Sequence, residues 1–303
     1  SGATEAWLVD ALKFTGFKGN LESVFAKGQI VAGAAMLSGS VLGGLVAQWT
    51  NLGVPYILRA LALVVTFVVA FVFMRDWGFV PKPGKHPVRE MGQVLRGSVH
   101  FGLGNPPVRW MMLAAPFSFG VGIYAFYAMQ PYLLELYGDE QAYSIAGLAA
   151  AIVAGAQIIG GMAAPRVRLL FRRRTSAILG GLVLEGGLLV LLGLTTAFWV
   201  AVGLLVLWGL TAAATLPIRQ AYMNGLIPSE QRATVLSFDN LLGSSGGVVI
   251  QPALGKVADV WSYSTSYLVA AGVHLMGVPF VALARRQRAS ADPVEVEPAQ
   301  QGG

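Results

Sequence analysis

The sequence predicts an all-α protein whose helices cross a lipid bilayer, and three observations lead there. Only 12% of its 303 residues are charged and 55% are hydrophobic, against roughly a quarter charged in ordinary soluble domains. The charges leave uninterrupted gaps at 28–58, 110–134, 141–165, 186–218 and 260–284, each long enough for a helix of about 20 residues to cross the hydrocarbon core. Lys and Arg return mainly in alternate connections between the apolar runs, as happens when positive charge is kept on one side of a membrane. Every backbone amide must be satisfied inside lipid, so these runs must be helices; a barrel would need short alternating strands.

Apolar runs bounded by charge or by Gly and Pro breaks give a partial helix at about 1–12. Full spans follow near 28–48, 55–74, 110–134, 143–164, 175–194, 197–222, 233–256 and 264–284. The expectation is therefore eight full transmembrane helices plus one partial. Ser1 to Leu12 carries Glu5 and Asp10 and lacks the basic front and apolar core of a signal peptide, so the chain is expected to begin mid-element.

Sidedness follows from the connections. Lys13, Lys18 and Lys27 precede the first full span, Arg166, Arg168 and Arg172 to Arg174 fill one later connection, Arg232 another, and Arg285, Arg286 and Arg288 open the tail. The connections at 48–56, 135–143, 195–198 and 261–266 contain no Lys or Arg and are expected to face outward. The interval 75–109 is the one long polar connection, with Pro81, Pro83, Gly84 and Pro87, and marks a domain boundary. Within it Met91, Val94, Leu95 and Val99 keep helical spacing, which suits a helix lying on the inner membrane surface or one packed on the protein's own loops.

Several functions are excluded at this level. The net charge of +6 sits in short clusters between apolar runs, where anionic headgroups rather than nucleic acid are the expected neighbour. There is no cysteine, His86, His100 and His274 are scattered, and no metal-ligand spacing appears, so neither a metal nor another cofactor is expected. A membrane enzyme would need paired acid and base groups at one membrane face, which the connections do not offer.

Two segments carry a family resemblance. Ser1-Gly-Ala-Thr-Glu-Ala-Trp-Leu-Val-Asp10 resembles the end of the fourth helix of major facilitator superfamily transporters, and Ile227-Pro-Ser-Glu-Gln-Arg-Ala-Thr234 resembles their inner loop between helices ten and eleven. The resemblance implies a bundle of that type lacking helices one to three. Residues 1–74 would be the remnant of the N-terminal half, 75–109 a cytoplasmic linker, 110–284 the six-helix C-terminal half, and 285–303 a cytoplasmic tail. Such families are built from related halves, and weak internal echoes are present. Ala35-Met-Leu-Ser-Gly39-Ser-Val-Leu-Gly43-Gly44 is similar to the superfamily's antiporter signature, with Ser40 in place of proline. Its counterpart Gly247-Val-Val-Ile-Gln251-Pro252-Ala-Leu-Gly255-Lys256 keeps the proline and loses the last glycine. Small residues four apart also serve close helix packing alone, and both roles stand open. The run from Gly161-Met-Ala-Ala-Pro165-Arg166 to Arg174 is similar to the inner loop motif GxxxDRxGRR, with Pro165 at the aspartate; positive-inside topology accounts for its arginines as well.

Polar side chains inside the spans are the candidates for function, because a charge there costs about 2.5–3.5 kcal/mol on insertion scales. Trp208, Thr211, Thr215, Arg219 and Tyr222 are spaced 3, 4, 4 and 3 and share one helix face. The resemblance makes this the tenth helix, one of four lining a central cavity; packing between helices would use the same residues. Asn240, Ser244, Gly247 and Gln251 share a face of the next helix, with Asp239 alongside at a depth similar to Arg219, which suggests a buried ion pair. Glu5, Arg219 and Asp239 are the candidates for a cytoplasmic gate. Glu185 stands alone in its span and suits a proton carrier by its expected desolvation, although the resemblance places it on a peripheral ninth helix and so below Asp239 for coupling. Tyr124, Tyr127 and Gln130 offer ligand contacts, or core packing in the case of the tyrosines.

The expected function is secondary transport of a small molecule by alternating access, with H⁺ as coupling ion and efflux of drug-like or amphipathic compounds as the subtype. Nutrient or sugar uptake, or a truncated remnant without activity, are the alternatives. The expected location is the plasma (inner) membrane, multi-pass, with linker and C-terminus cytoplasmic.

Overall fold

The computed structural model describes residues 11, 14–16, 21–74, 102–139, 141–227 and 232–293, and places nearly all of them in α-helices. In chain order these are α1 Leu21–Trp49, α2 Gly53–Phe73, α3 Pro106–Tyr137, α4 Tyr143–Leu169, α5 Arg174–Leu194, α6 Phe198–Leu226, α7 Arg232–Val260, α8 Tyr263–Leu275 and α9 Val278–Arg286. Among the described residues there is no strand, only an isolated bridge between Arg173 and Pro293. Among the described residues six helical segments are long and apolar enough to cross a membrane: α2, α3, α4, α5, α6, and α8 with α9 taken together as Tyr263–Arg286. The described apolar part of α1, Ala34–Trp49, is shorter, and α7 carries Asp239, Lys256 and Asp259 among several serines.

Local chemistry sets the helix ends. Pro106 and Pro107 open α3, where the missing amide has no helical partner to lose. Gly138 closes it at φ 79°, a left-handed position glycine takes without a Cβ clash, and its amide bonds the carbonyls of Leu134 and Glu135. Ser262 caps α8 by accepting the Thr265 amide at 3.0 Å. The break between α8 and α9 falls at Met276 and Gly277, just before Pro279, which has no amide to offer the Leu275 carbonyl and whose ring crowds it. His274 therefore sits beside a helix interruption.

The described residues divide into two compact units, one of residues up to 74 with 141–151 and one of 102–139 with 152–293. In the first, the side chain of Asn51 accepts the Gly53 amide at 2.8 Å and turns the chain from α1 into α2. Gly44 meets the start of α4 backbone to backbone: a Cβ there would lie 2.7 Å from the Tyr143 carbonyl oxygen, and one on Gly147 2.6 Å from that of Ser40. Helix α2 has no buried residue, and its exposed side chains include Leu61, Val64, Phe67 and Phe71. Apart from Arg59 near its start, the helix is apolar on every side, which suits a span with lipid as its solvent.

In the second unit α3 packs along α7. Their closest approach is made by glycines: a Cβ on Gly120 would lie 2.8 Å from the Gly246 carbonyl carbon, and one on Gly246 would collide with the Pro116 carbonyl. Gly181, Gly186 and Gly193 do the same for α5, admitting Thr215 of α6 and Leu275 and Ser264 of α8. At one end Tyr132 donates to the carbonyls of Leu192, at 2.7 Å, and Thr195, and its ring lies 5.0 Å from that of Tyr267. At the arginine-rich end the chain after α9 folds back on α5. Buried Asp292 accepts the Thr175 amide at 2.9 Å and the Thr175 hydroxyl at 2.7 Å, while Arg174 donates to the carbonyls of Ala291 and Pro293. A carboxylate from the tail thus serves the orphan amides of the α5 N-terminus that Arg173 leaves uncapped.

Two measurements check this packing. Gly246→Ala is expected to destabilise the detergent-solubilised protein by about 1–3 kcal/mol through overpacking, whereas Gly255→Ala, where a Cβ meets nothing within 4 Å, is expected to be neutral or mildly stabilising; equal melting temperatures for the two would contradict the glycine crossing. Asp292→Ala is expected to cost about 0.5–2 kcal/mol, the usual loss for a helix cap, read by the same thermal melt.

Candidate functional site

The second unit encloses a cavity of about 460 Å³, within the range of roughly 300–1,000 Å³ that small-molecule sites occupy. Its wall comes from α3 between Met111 and Tyr127, from Gln157 of α4, from Ile178, Leu182 and Glu185 of α5, from α6 between Trp208 and Arg219, and from Val281 of α9. Most of that surface is apolar. The polar exceptions are Ser118, Tyr127, Gln157, Glu185, Trp208, Thr215 and Arg219.

The α6 stripe expected from spacing divides between two environments. Trp208, Thr215 and Arg219 reach the cavity. The Thr211 hydroxyl donates back to the Leu207 carbonyl, and that of Thr215 to the Thr211 carbonyl, each at 2.8 Å, so both threonines satisfy themselves within the helix. Tyr222 lies fully buried among core side chains with no partner for its hydroxyl among the described residues. Trp208 is 5% exposed, and its indole N–H likewise lacks an acceptor. A buried donor without a partner costs about 1–3 kcal/mol.

The Arg219 and Asp239 pair suggested by depth is present. The Arg219 guanidinium donates through Nη1 to Asp239 Oδ2 at 2.8 Å and through Nη2 to Oδ1 at 2.6 Å, with a third bond to the Met111 carbonyl at 3.3 Å. Their side chains are 12% and 5% exposed. The fork-to-fork geometry ties α6 to α7, and the cation lies 5.5 Å from the Phe119 ring centre on α3. Asp239 itself does not line the cavity; it holds the arginine that does.

Glu185 has a partner that sequence reasoning left unassigned. Its Oε2 lies 3.3 Å from His274 Nε2, the side chains being 10% and 2% exposed. Neither ring nitrogen of His274 forms an aligned hydrogen bond among the described residues. Glu185 faces the cavity on α5 while His274 approaches from the last turn of α8. Two lone polar residues in separate charge-free spans were the available signal, because each would be costly unpaired.

Other expected site residues scatter. Tyr127 is exposed and lines the cavity, its ring edge-on to Phe126. Tyr124 is buried, its hydroxyl against that of Ser266, with Tyr267 5.9 Å away ring to ring, and it serves packing. Gln130 and Asn240 are exposed and Gln251 half-buried, and none lines the cavity. Gly44 and Gly247 are crowded by neighbours, whereas a Cβ on Gly39, Gly43 or Gly255 would meet nothing. Glu5, the 75–101 interval with its amphipathic segment, and the 294–303 tail lie outside the described residues. Gln157, Ser118 and Phe119 are lining residues that periodicity alone did not single out.

A family model decides the identity: that of the Major Facilitator Superfamily matches residues 17–250 and again 143–302, so that 143–250 is matched in both. The chain belongs to that superfamily. As a major facilitator protein it is a multi-pass membrane transporter of small molecules, and members of the superfamily are transporters rather than enzymes. No curated relative matches the chain significantly.

Breaking the α6–α7 ion pair is expected to be costly. Asp239→Asn leaves a buried guanidinium without its counter-charge and should lower stability by about 3–5 kcal/mol, whereas the combined Arg219→Met and Asp239→Leu replacement should recover most of it; a melt in which the double variant is worse than either single one would contradict the pairing.

Proposed function

We propose that this major facilitator protein exports a small, largely apolar amphipathic molecule by alternating access, driven by exchange for H⁺. The cavity carries this reading: a mostly apolar wall with aromatic side chains from Phe119, Phe126, Tyr127 and Trp208, and a few separated polar points. Such a wall gains binding energy from apolar area at about 25 cal/mol per Å². It offers too few hydrogen-bonding groups to replace the hydration of a sugar, which argues against polyhydroxylated nutrient uptake.

Within this reading the two buried pairs have different tasks. Asp239 accepts two bonds from Arg219, which is itself held a third time by the Met111 carbonyl, and the pair suits a latch ordering α6 against α7. Glu185 is held by one imperfectly aligned contact to His274 and also faces the cavity, so a proton or a ligand group could take that place. This reverses the order expected from helix number. The eight full spans with a partial helix before them, the division at 75–109, a cytoplasmic arginine-rich end and residence in the plasma membrane belong to the same proposal, supported by the alternation of Lys and Arg along the chain.

The test is flux of a fluorescent lipophilic compound from proteoliposomes with and without a pH gradient. Gradient-dependent flux is expected, lowered at least tenfold in Glu185→Gln. Trp208→Ala is expected to raise KM about 5- to 30-fold, equivalent to roughly 1–2 kcal/mol for the lost apolar contact, with the gradient dependence intact. Gradient-independent flux in all three proteins would exclude proton exchange at Glu185.

A further inference from the structure

A second cavity, of about 350 Å³, opens at the arginine-rich end of the second unit. Its wall consists of Arg173, Arg285, Arg286 and Arg288 with Leu179 and Ala282. Four guanidiniums around one space repel one another unless an anion joins them. Among the described residues no carboxylate is found within ion-pair distance of any of the four. Asp292, the acid nearest in sequence, spends Oδ1 on the Thr175 amide and hydroxyl.

The backbone holds the cluster in place. Arg173 is bridged to Pro293, Arg285 and Arg286 form the last turn of α9, and Arg288 has φ 48°, the one non-glycine residue with positive φ among those described. That left-handed turn brings Arg288 round to the same cavity as the α9 arginines.

The apolar side of the cavity continues along the membrane-facing surface of α5. Leu179 in the wall is followed at four-residue steps by Val183, Gly187 and Leu191, all three exposed, and a Cβ on Gly187 would meet nothing within 4 Å. Helix α5 is among those apolar enough to span a membrane. An arginine-lined pocket at the end of an exposed apolar track, with a gap where glycine carries no side chain, matches a molecule with a phosphate at one end and acyl chains at the other.

We propose that Arg173, Arg285, Arg286 and Arg288 form a binding site for the phosphodiester headgroup of an anionic phospholipid whose acyl chain lies along Leu179, Val183, Gly187 and Leu191. Guanidinium forks match phosphate oxygens bidentately, which a lysine ammonium does not. The site stands apart from the transport cavity and does not depend on the substrate or on proton exchange.

The experiment is native mass spectrometry, with thermal melts, of the purified chain in a nonionic detergent titrated with phosphatidylglycerol, phosphatidylcholine or inorganic phosphate. Phosphatidylglycerol is expected to bind and raise the melting temperature, while phosphatidylcholine and inorganic phosphate do neither at matched concentration. The Arg285→Ala, Arg286→Ala double variant should bind phosphatidylglycerol at least about tenfold more weakly through loss of charge-assisted contacts to the phosphate, and lysines at the same positions should restore only part of it. Arg166→Ala with Arg172→Ala, which removes the same charge outside the cavity, should leave binding unchanged. An equal loss in that control would make the effect diffuse surface charge and overturn the site; protection by inorganic phosphate equal to that by lipid would overturn the lipid assignment; unchanged binding in the double variant, with an unaltered melt in lipid-free detergent, would overturn both.

Discussion

Hydrocarbon offers no hydrogen bonds, and that constraint organises this molecule. A backbone amide inside the bilayer must find its carbonyl within the same helix, which leaves helices as the way for these apolar runs to cross. The same constraint acts on side chains. Arg219 with Asp239 and Glu185 with His274 are ionisable groups from different helices brought together with little exposure. Each unpaired member would impose a desolvation cost larger than most packing contacts could offset.

With lipid on the outside, apolar burial no longer draws helices together as it does in water, so close van der Waals fit and polar clasps take over that task. The glycines of the second unit supply the fit. Gly120 and Gly246 bring α3 and α7 to backbone contact, and Gly181, Gly186 and Gly193 let side chains of α6 and α8 sink into α5. The clasps are made at the ends and the middle: Asp292 on Thr175, Tyr132 on the carbonyls of Leu192 and Thr195 at the end of α5, and the Arg219 fork on Asp239. Removing water raises the worth of each such contact, so few are needed.

The cavity inherits this economy. Its polar groups are separated points in an apolar wall, and they differ in how fully they are satisfied. Thr215 returns its hydroxyl to its own helix, Arg219 is saturated by Asp239 and Met111, while the Trp208 indole N–H lacks a partner and Glu185 has one loosely aligned neighbour. Incomplete satisfaction does not by itself mark the site, because the Tyr222 hydroxyl in the core also lacks a partner; what sets Glu185 apart is that it faces the cavity as well.

The all-helical fold class and the superfamily were legible in the sequence because they rest on local quantities: the length of charge-free runs and short motifs. The Arg219 and Asp239 pair was also legible, since consecutive helices constrain relative depth. What needed the tertiary structure was every relation between helices distant in the chain. Glu185 meets His274 across 89 positions, Asp292 caps a helix that begins 118 residues earlier, and four arginines from two helix ends share one cavity. Periodicity assigns a residue to a face but cannot say which helix lies opposite. That is why Thr211, Gln130 and Asn240 looked equivalent to Trp208, and why Gly246 could not be told from Gly255 until α3 was seen to pass over one and leave the other open.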